Sequence, residues 1–267
     1  MKIAFFDSGI GGLSVLHHAI KMFPGQEFIF YADEDHVPYG TKPRDLVMKY
    51  IEEAFHFLLT LDVQAIVVAC NNATSVAVRE MRKRYDLPIV GMEPAIKRAI
   101  DLYGDKRVLV TATPITVNGE KIHALIDKLG KRDIVDLLAL PNLVDFAERQ
   151  EFNSEAVTNY LREQFEPYDF SKFSSLVLGC THFNYFKDTM RNLLPENVKF
   201  VDGNEGTLKE LMRRINLSSH SDSNQLLSDR RTQSTIEYYY SGRKVIEADE
   251  LERLKIYLRR LDKMYLL

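Results

Sequence analysis

Residues 67–72 read Val-Val-Ala-Cys-Asn-Asn, and residues 176–182 read Leu-Val-Leu-Gly-Cys-Thr-His. Each is a short apolar run, a small residue, a cysteine and two polar residues. An unbroken apolar run of this length reads as a strand buried on both faces, the pattern of parallel sheets. The two cysteines lie 110 residues apart, near the size of one small α/β domain. A looser echo links Phe5-Phe6-Asp7-Ser8-Gly9 with Val110-Thr111-Ala112-Thr113.

Working outward from these stretches, strands are expected at 2–6, 27–32, 64–69 and 88–91, alternating with helical patterns over 9–23, 41–61, 73–85 and 94–103. The rhythm then restarts, with strands at 107–111, 133–140, 175–178 and 198–201 and helices over 118–129, 142–166, 185–193 and about 205–215. The stretch 217–235, rich in Ser, Asp, Asn and Gln, reads as a surface linker. A strand at 236–241 and an amphipathic helix at 248–267, charges outward, close the chain. This alternation predicts an α/β fold: two similar domains, each a mostly parallel sheet with helices on both faces and a cleft between them. The first domain is expected over 1–94 plus 206–267, carrying Cys70, and the second over 95–205, carrying Cys180.

Composition narrows the function. The 267 residues are 45% hydrophobic and 27% charged, which excludes collagen-like, low-complexity and largely disordered chains. Lys plus Arg number 35 against 38 Asp plus Glu, so no global basic charge points to nucleic acid. No apolar run approaches the ~20 residues that span a bilayer, and no signal peptide is expected. Two cysteines cannot make a disulfide framework, so free thiols in a reducing cytoplasm are expected.

In parallel sheets, ligands sit at the carboxyl ends of the strands. Asp7-Ser8, Asp33, Cys70-Asn71-Asn72, Thr113 and Cys180-Thr181-His182 all fall at predicted strand ends and could converge on one rim. Each taken singly reads equally well as a cap of the following helix. Gly9-Ile10-Gly11-Gly12, with Asp33 ending the next strand, invites a nicotinamide-dinucleotide reading, although Ser14 holds the third glycine position and Asp7 would repel a pyrophosphate. Cys70 precedes a predicted helix, where a thiol pKa falls from ~8.5 toward neutrality; the alternative is a buried, inert cysteine. His182 stands two residues after Cys180, close enough to poise its thiol. A Cys-x-His pair alone is not a zinc site, and no metal is expected. A cysteine hydrolase would leave Cys70 unused, and a redox couple usually has its cysteines close in sequence. Two thiols on opposite faces of a planar carbanion could remove and return a proton, which is racemisation without a cofactor.

The motifs resemble those of the glutamate racemases, within the cofactor-independent aspartate/glutamate racemase superfamily. The resemblance runs from about Ile3 to Val201. It rests on Phe6-Asp7-Ser8-Gly9-Ile10-Gly11-Gly12-Leu13-Ser14-Val15, Val37-Pro38-Tyr39-Gly40-Thr41, Ala69-Cys70-Asn71-Asn72-Ala73-Thr74 and Gly179-Cys180-Thr181-His182. It implies that Cys70 and Cys180 are paired bases, one for each enantiomer, with Asp7 assisting Cys70 and His182 assisting Cys180. It further implies that Asp7, Ser8, Tyr39, Gly40, Asn71, Asn72, Thr113, Thr181 and His182 hold the substrate, and that Glu148 matches a family acid near the second cysteine. Two departures stand out: Asn72 replaces the usual Thr, and Glu34-Asp35-His36 makes the preceding loop acidic. The resemblance implies free glutamate as substrate, no cofactor, no nucleic-acid or membrane partner, a bacterial cytoplasm and D-glutamate supplied for peptidoglycan and cell shape. The alternatives are another amino acid such as aspartate, a nicotinamide-binding oxidoreductase, or a non-catalytic binding protein. The sequence does not fix the oligomeric state; a homodimer is the expectation.

Overall fold

Buried strands and amphipathic helices alternate along the chain in the computed structural model, which describes residues 1–92, 95–104, 106–216 and 234–267. The first half contains β1 (Lys2–Asp7), α1 (Leu13–Met22), β2 (Glu27–Ala32), α2 (Arg44–Leu59), β3 (Ala65–Val68), α3 (Asn71–Arg84), β4 (Ile89–Gly91) and α4 (Ile96–Tyr103). The second contains β5 (Arg107–Ala112), α5 (Pro114–Val117), α6 (Glu120–Leu129), β6 (Val135–Ala139), α7 (Asn142–Glu148), α8 (Glu155–Phe165), β7 (Phe173–Leu178), α9 (Lys187–Arg191), β8 (Lys199–Val201) and α10 (Asn204–Ile215). The chain closes with β9 (Thr235–Tyr240), β10 (Arg243–Lys244) and α11 (Ala248–Met264).

Among the described residues the strands form two sheets, ordered β10-β9-β2-β1-β3-β4 and β6-β5-β7-β8. Within them, β2-β1-β3-β4 and β6-β5-β7-β8 follow the same winding, and every pairing is parallel except β9 with β10. The sequence echo is therefore topological: Cys70 follows β3 and Cys180 follows its counterpart β7, while Asp7-Ser8 and Thr113 follow β1 and β5.

Period-two alternation divides the core. Ile3 and Phe5 of β1, Leu109 of β5 and Leu176 and Leu178 of β7 face one apolar cluster that runs across both sheets, together with α1, α7, α8 and α11 residues. Ala4 and Phe6 face a second cluster under α2 and α3. Val108, Val110 and Val177 face a third under α4 and α6. No helix among the described residues is long and apolar enough to cross a membrane.

Several boundaries differ from the sequence reading for local reasons. Helix α2 starts at Arg44, not at 41, because Pro43 holds the preceding Lys42 extended (φ −95°, ψ 154°). The region 142–166 is two helices: Gln150 takes a positive φ of 59°, and Ser154 accepts the Val157 N–H at 3.3 Å to restart the second. The helix expected at 185–193 is a 3₁₀ segment, Thr181–Phe186, followed by the short α9. The edge strand β10 was not legible, since Arg243-Lys244 carries no apolar pattern; the turn before it has positive φ at Ser241 and Gly242, the hairpin geometry that favours glycine. The helix expected over 248–267 does not turn all its charges outward, for Arg253 and Arg260 are packed inward. Pro94 and most of the 217–235 linker fall outside the described residues.

Candidate active site

The carboxyl ends of β1, β3, β5 and β7 meet at one narrow, nearly closed cavity. Its walls include Asp7 and Ser8 after β1, Cys70, Asn71 and Asn72 after β3, Thr113 after β5, and Cys180, Thr181 and His182 after β7. Pro38, Tyr39 and Gly40 close it from the loop after β2, and Val144 of α7 from the other side. Of the residues expected at the site or on its rim, Asp33 and Glu148 do not line this cavity; Asp33 bonds the Tyr39 hydroxyl, and Glu148 stands behind His182.

Cys70 is the N-cap of α3, and its Sγ accepts the Ala73 N–H at 3.5 Å. The Cys70 thiol donates to Ser8 Oγ at 3.5 Å, and the Ser8 hydroxyl donates to Asp7 Oδ1 at 3.2 Å. Asp7 is fully buried; its Oδ1 also accepts the Gly9 N–H, and its Oδ2 accepts the Thr181 hydroxyl at 3.0 Å. The last bond joins the first sheet's strand end to the second's. The expected lowering of the Cys70 pKa does not occur. Burial pushes it well above the ordinary thiol range, with the nearby Asp7 charge adding to the effect. The helix N-terminus and the Ser8 hydroxyl pull the other way and lose. Burial also raises Asp7 to about 6, against the opposing pull of His182, Gly9 N–H and Thr181.

Cys180 precedes the 3₁₀ segment, and its Sγ lies 3.7 Å from His182 Nδ1. The other ring nitrogen, Nε2, lies 2.6 Å from Glu148 Oε1, which also accepts the Ile10 N–H at 3.1 Å. Burial by itself lowers the His182 pKa, but hydrogen bonds to Cys180 and Glu148 more than offset it, and the ring titrates well above its ordinary value. An imidazolium then donates to sulfur on one side and to a carboxylate on the other, and stabilises negative charge on Sγ.

The glycine loop explains how the two halves approach. A Cβ on Gly11 would overlap His182 Nδ1 and Thr181 Oγ1. Gly11 makes room for the second sheet's cysteine segment, and the Tyr185 hydroxyl donates to Ile10 O at 2.9 Å beside it. Asp33, the residue a dinucleotide ribose would need, instead accepts from the Tyr39 hydroxyl at 2.5 Å and from Ser241 at 2.8 Å, and lies 2.9 Å from His36 Nδ1. The Tyr39 hydroxyl is thus engaged by Asp33. The acidic loop is neutralised within the protein: Asp35 makes a two-pronged pair with Arg243 at 2.6 and 2.8 Å, and Glu34 pairs with Arg253.

Asn72 Oδ1 accepts from Thr113 at 2.5 Å and from Thr116 at 3.2 Å, and Gly40 packs against Thr113. Thr116 escaped the sequence reading. The spacing Thr113-x-x-Thr116 at a helix start places two hydroxyls on one face and was the available signal. Arg253 also escaped, since nothing local to α11 marks it.

Two like-wound α/β lobes, with one cysteine from each at a shared cavity, define the protein as a two-lobed α/β enzyme with a pair of thiols where the lobes meet. The sequence matches the family described as Asp/Glu/Hydantoin racemase over residues 18–211. It is 49% identical to the glutamate racemase of Campylobacter concisus, over 99% of this chain and 98% of that one. It is 46% identical to the glutamate racemase of Lachnospira eligens, over 99% of each. Among solved structures, glutamate racemase from Aquifex pyrophilus superimposes with a TM-score of 0.73 at 26% identity, covering 97% of this chain and 96% of that one. The chain belongs to the Asp/Glu/Hydantoin racemase family.

Proposed function

We propose that this protein interconverts L-glutamate and D-glutamate, removing and returning the α-proton with two cysteine bases and no cofactor. The observation that carries the reading is the placement of Cys70 and Cys180, one from each lobe, on a single small cavity, each with its own hydrogen-bonded chain. Relatives named glutamate racemase over nearly the full length support the choice of substrate.

The thiolate of one cysteine takes the α-proton, and the electron pair stays on a planar carbanion conjugated with the α-carboxylate. The thiol on the opposite face then gives its proton to that carbon. The two cysteines must start in opposite states. Burial and Asp7 hold Cys70 as a thiol, while the His182 imidazolium faces Cys180. That asymmetry suits Cys70 as the acid and Cys180 as the base for one enantiomer. A substrate ammonium entering beside Asp7 offsets the negative charge that holds Cys70 protonated, which lets the roles reverse for the other enantiomer. Asp7 acts on Cys70 through Ser8, and Glu148 acts on Cys180 through His182.

Ser8, Asn71, Asn72, Thr113, Thr181 and the backbone at Gly40 hold the ammonium and carboxylates, with Tyr39 as a wall. Because Asn72 Oδ1 is occupied by two hydroxyls, its NH₂ is the group left to donate to a carboxylate. Each such donor is worth ~10²–10³ in rate when it meets developing charge. The working division is residues 1–94 plus 206–267 for one lobe and 95–205 for the other. The cellular setting is the cytoplasm, with D-glutamate passing to peptidoglycan and the chain acting as a homodimer.

The test is a chiral assay in deuterated water. Both enantiomers of glutamate should racemise and gain α-deuterium without added pyridoxal phosphate, and aspartate should turn over more slowly. Cys70→Ser and Cys180→Ser should each lower racemisation by at least ~10³-fold. Near-parent turnover by either variant sinks the two-cysteine mechanism, and faster aspartate turnover sinks the substrate assignment.

A further inference from the structure

Arg253 lies on α11, far along the chain from both cysteines, yet its guanidinium sits between two carboxylates. Its Nη2 is 3.4 Å from Glu34 Oε2 and 3.4 Å from Glu148 Oε2, and donates to the Glu148 carbonyl at 3.3 Å. Tyr240 and Tyr257 stack their rings against it, and the Tyr257 hydroxyl donates to the carbonyls of Ala147 and Glu148 at 2.9 and 3.0 Å. The two oxygens of Glu148 thereby divide their work: Oε2 faces Arg253 while Oε1 faces His182 and the Ile10 N–H. Glu34 is less well served, because its Oε1 is buried with no hydrogen-bond partner.

We propose that Arg253 is a positioning residue for the Cys180 half of the site: it fixes the Glu148 carboxylate against His182, and Glu34 competes with Glu148 for its charge. The inference rests on the racemase reading of this cavity. A carboxylate held on one oxygen by a cation cannot rotate away from the imidazole on the other. Without Arg253, Glu148 would face Glu34 with no cation between them, and like charges in a half-buried setting push carboxylates apart or force one to hold a proton. The surrounding charges fit this account. Burial first, and then the Glu148 charge, raise Glu34 to about 7, while Arg253 and His182 pull it down. The other titratable groups around the cluster include Asp7, which faces Glu148 and His182 from β1, Tyr185, which faces Glu148 from the 3₁₀ segment, Tyr240 and Tyr257 around Arg253 and Glu34, and Glu250 beside Tyr240.

The test joins a titration to kinetics. Carboxyl ¹³C NMR of the whole protein, with Glu34 assigned by its loss in Glu34→Gln, should place the Glu34 midpoint near 7. Arg253→Met should raise that midpoint by about one unit or more. In the racemisation assay Arg253→Met should lose about tenfold in kcat; Arg253→Lys should recover part, and Arg253→Met with Glu34→Gln most of it. A merely structural role for Arg253 would leave the double variant as impaired as the single. An ordinary carboxylate midpoint for Glu34 in the parent, an unmoved midpoint in Arg253→Met, or equal losses with and without Glu34→Gln overturns the proposal. If Arg253→Met does not fold, the parent titration and Arg253→Lys decide. If the parent does not racemise glutamate, the proposed function falls, while the carboxyl titration still decides the bridge.

Discussion

Asp7 sets stability against chemistry. Its pKa, raised to about 6 chiefly by burial, exceeds that of a carboxylate in the unfolded chain. The folded protein therefore keeps a proton that the unfolded chain releases between about pH 4 and 6, and stability falls as pH rises through that window. Asp7→Asn removes this penalty. It should raise the unfolding free energy at pH 7 by on the order of 1–3 kcal/mol and leave it nearly unchanged at pH 4, while racemisation collapses. Urea unfolding at the two pH values checks this; a lower midpoint for the variant at pH 7 would mean that the ionised carboxylate stabilises the fold. The convergence of Asp7, Cys70, Cys180 and His182 on one cavity was legible in the sequence, because each falls at or just after the end of a buried strand. Their protonation was not. Cys70 at a helix start reads as an acidified thiol, yet burial among apolar side chains and the neighbouring Asp7 reverse the sign.

At the level of elements, the loop after β1 and the 3₁₀ segment after β7 act as one unit. Gly11 permits their contact, and any Cβ there meets the His182 ring and the Thr181 hydroxyl. Gly11→Ala should cut kcat/KM by about a hundredfold or more through displacement of His182, with a stability loss of roughly 1–3 kcal/mol from overpacking. Steady-state kinetics with thermal unfolding measures both, and a variant of parental activity would show that the contact is not needed. In sequence the glycines suit a tight turn or, less well, a dinucleotide loop, since a strand, glycines and a helix in that order fit either use while Asp7 would repel a pyrophosphate. Which backbone comes close to them is a property of the second lobe and is absent from the local pattern. The split of 142–166 and the 3₁₀ form of Thr181–Phe186 were hidden for a similar reason: apolar spacing marks the buried face but not where hydrogen bonding restarts.

Across the whole molecule, the two lobes share a core as well as a cleft. One apolar cluster includes Phe5 and Phe28 of the first sheet, Leu109 and Leu176 of the second, and Leu254 and Tyr257 of α11. Thr181 to Asp7, Ile10 to Glu148 and Tyr185 to Ile10 add hydrogen bonds across the junction. The protein should therefore unfold in a single cooperative transition, with calorimetric and van't Hoff enthalpies equal. Two resolved transitions would show that the lobes are independently stable. A shared core also places α11, at the chain's end, against the first lobe's α1 and the second lobe's Thr181–Phe186, where Arg253 reaches Glu148.

The sequence by itself determined the alternation of strands and helices, its restart, and the strand-end place of both cysteines. Hydrophobic period and strand-end position are local properties, so two similar, mostly parallel units with one cysteine in each could be read from the residues. The tertiary structure decided which way burial and neighbours shift Asp7, Cys70 and His182, and that Glu34, Thr116 and Arg253 belong beside the site. Those outcomes depend on burial and on charges brought together from distant parts of the chain, and neither the field at a buried group nor its partner across a lobe junction is encoded in the residues on either side of it.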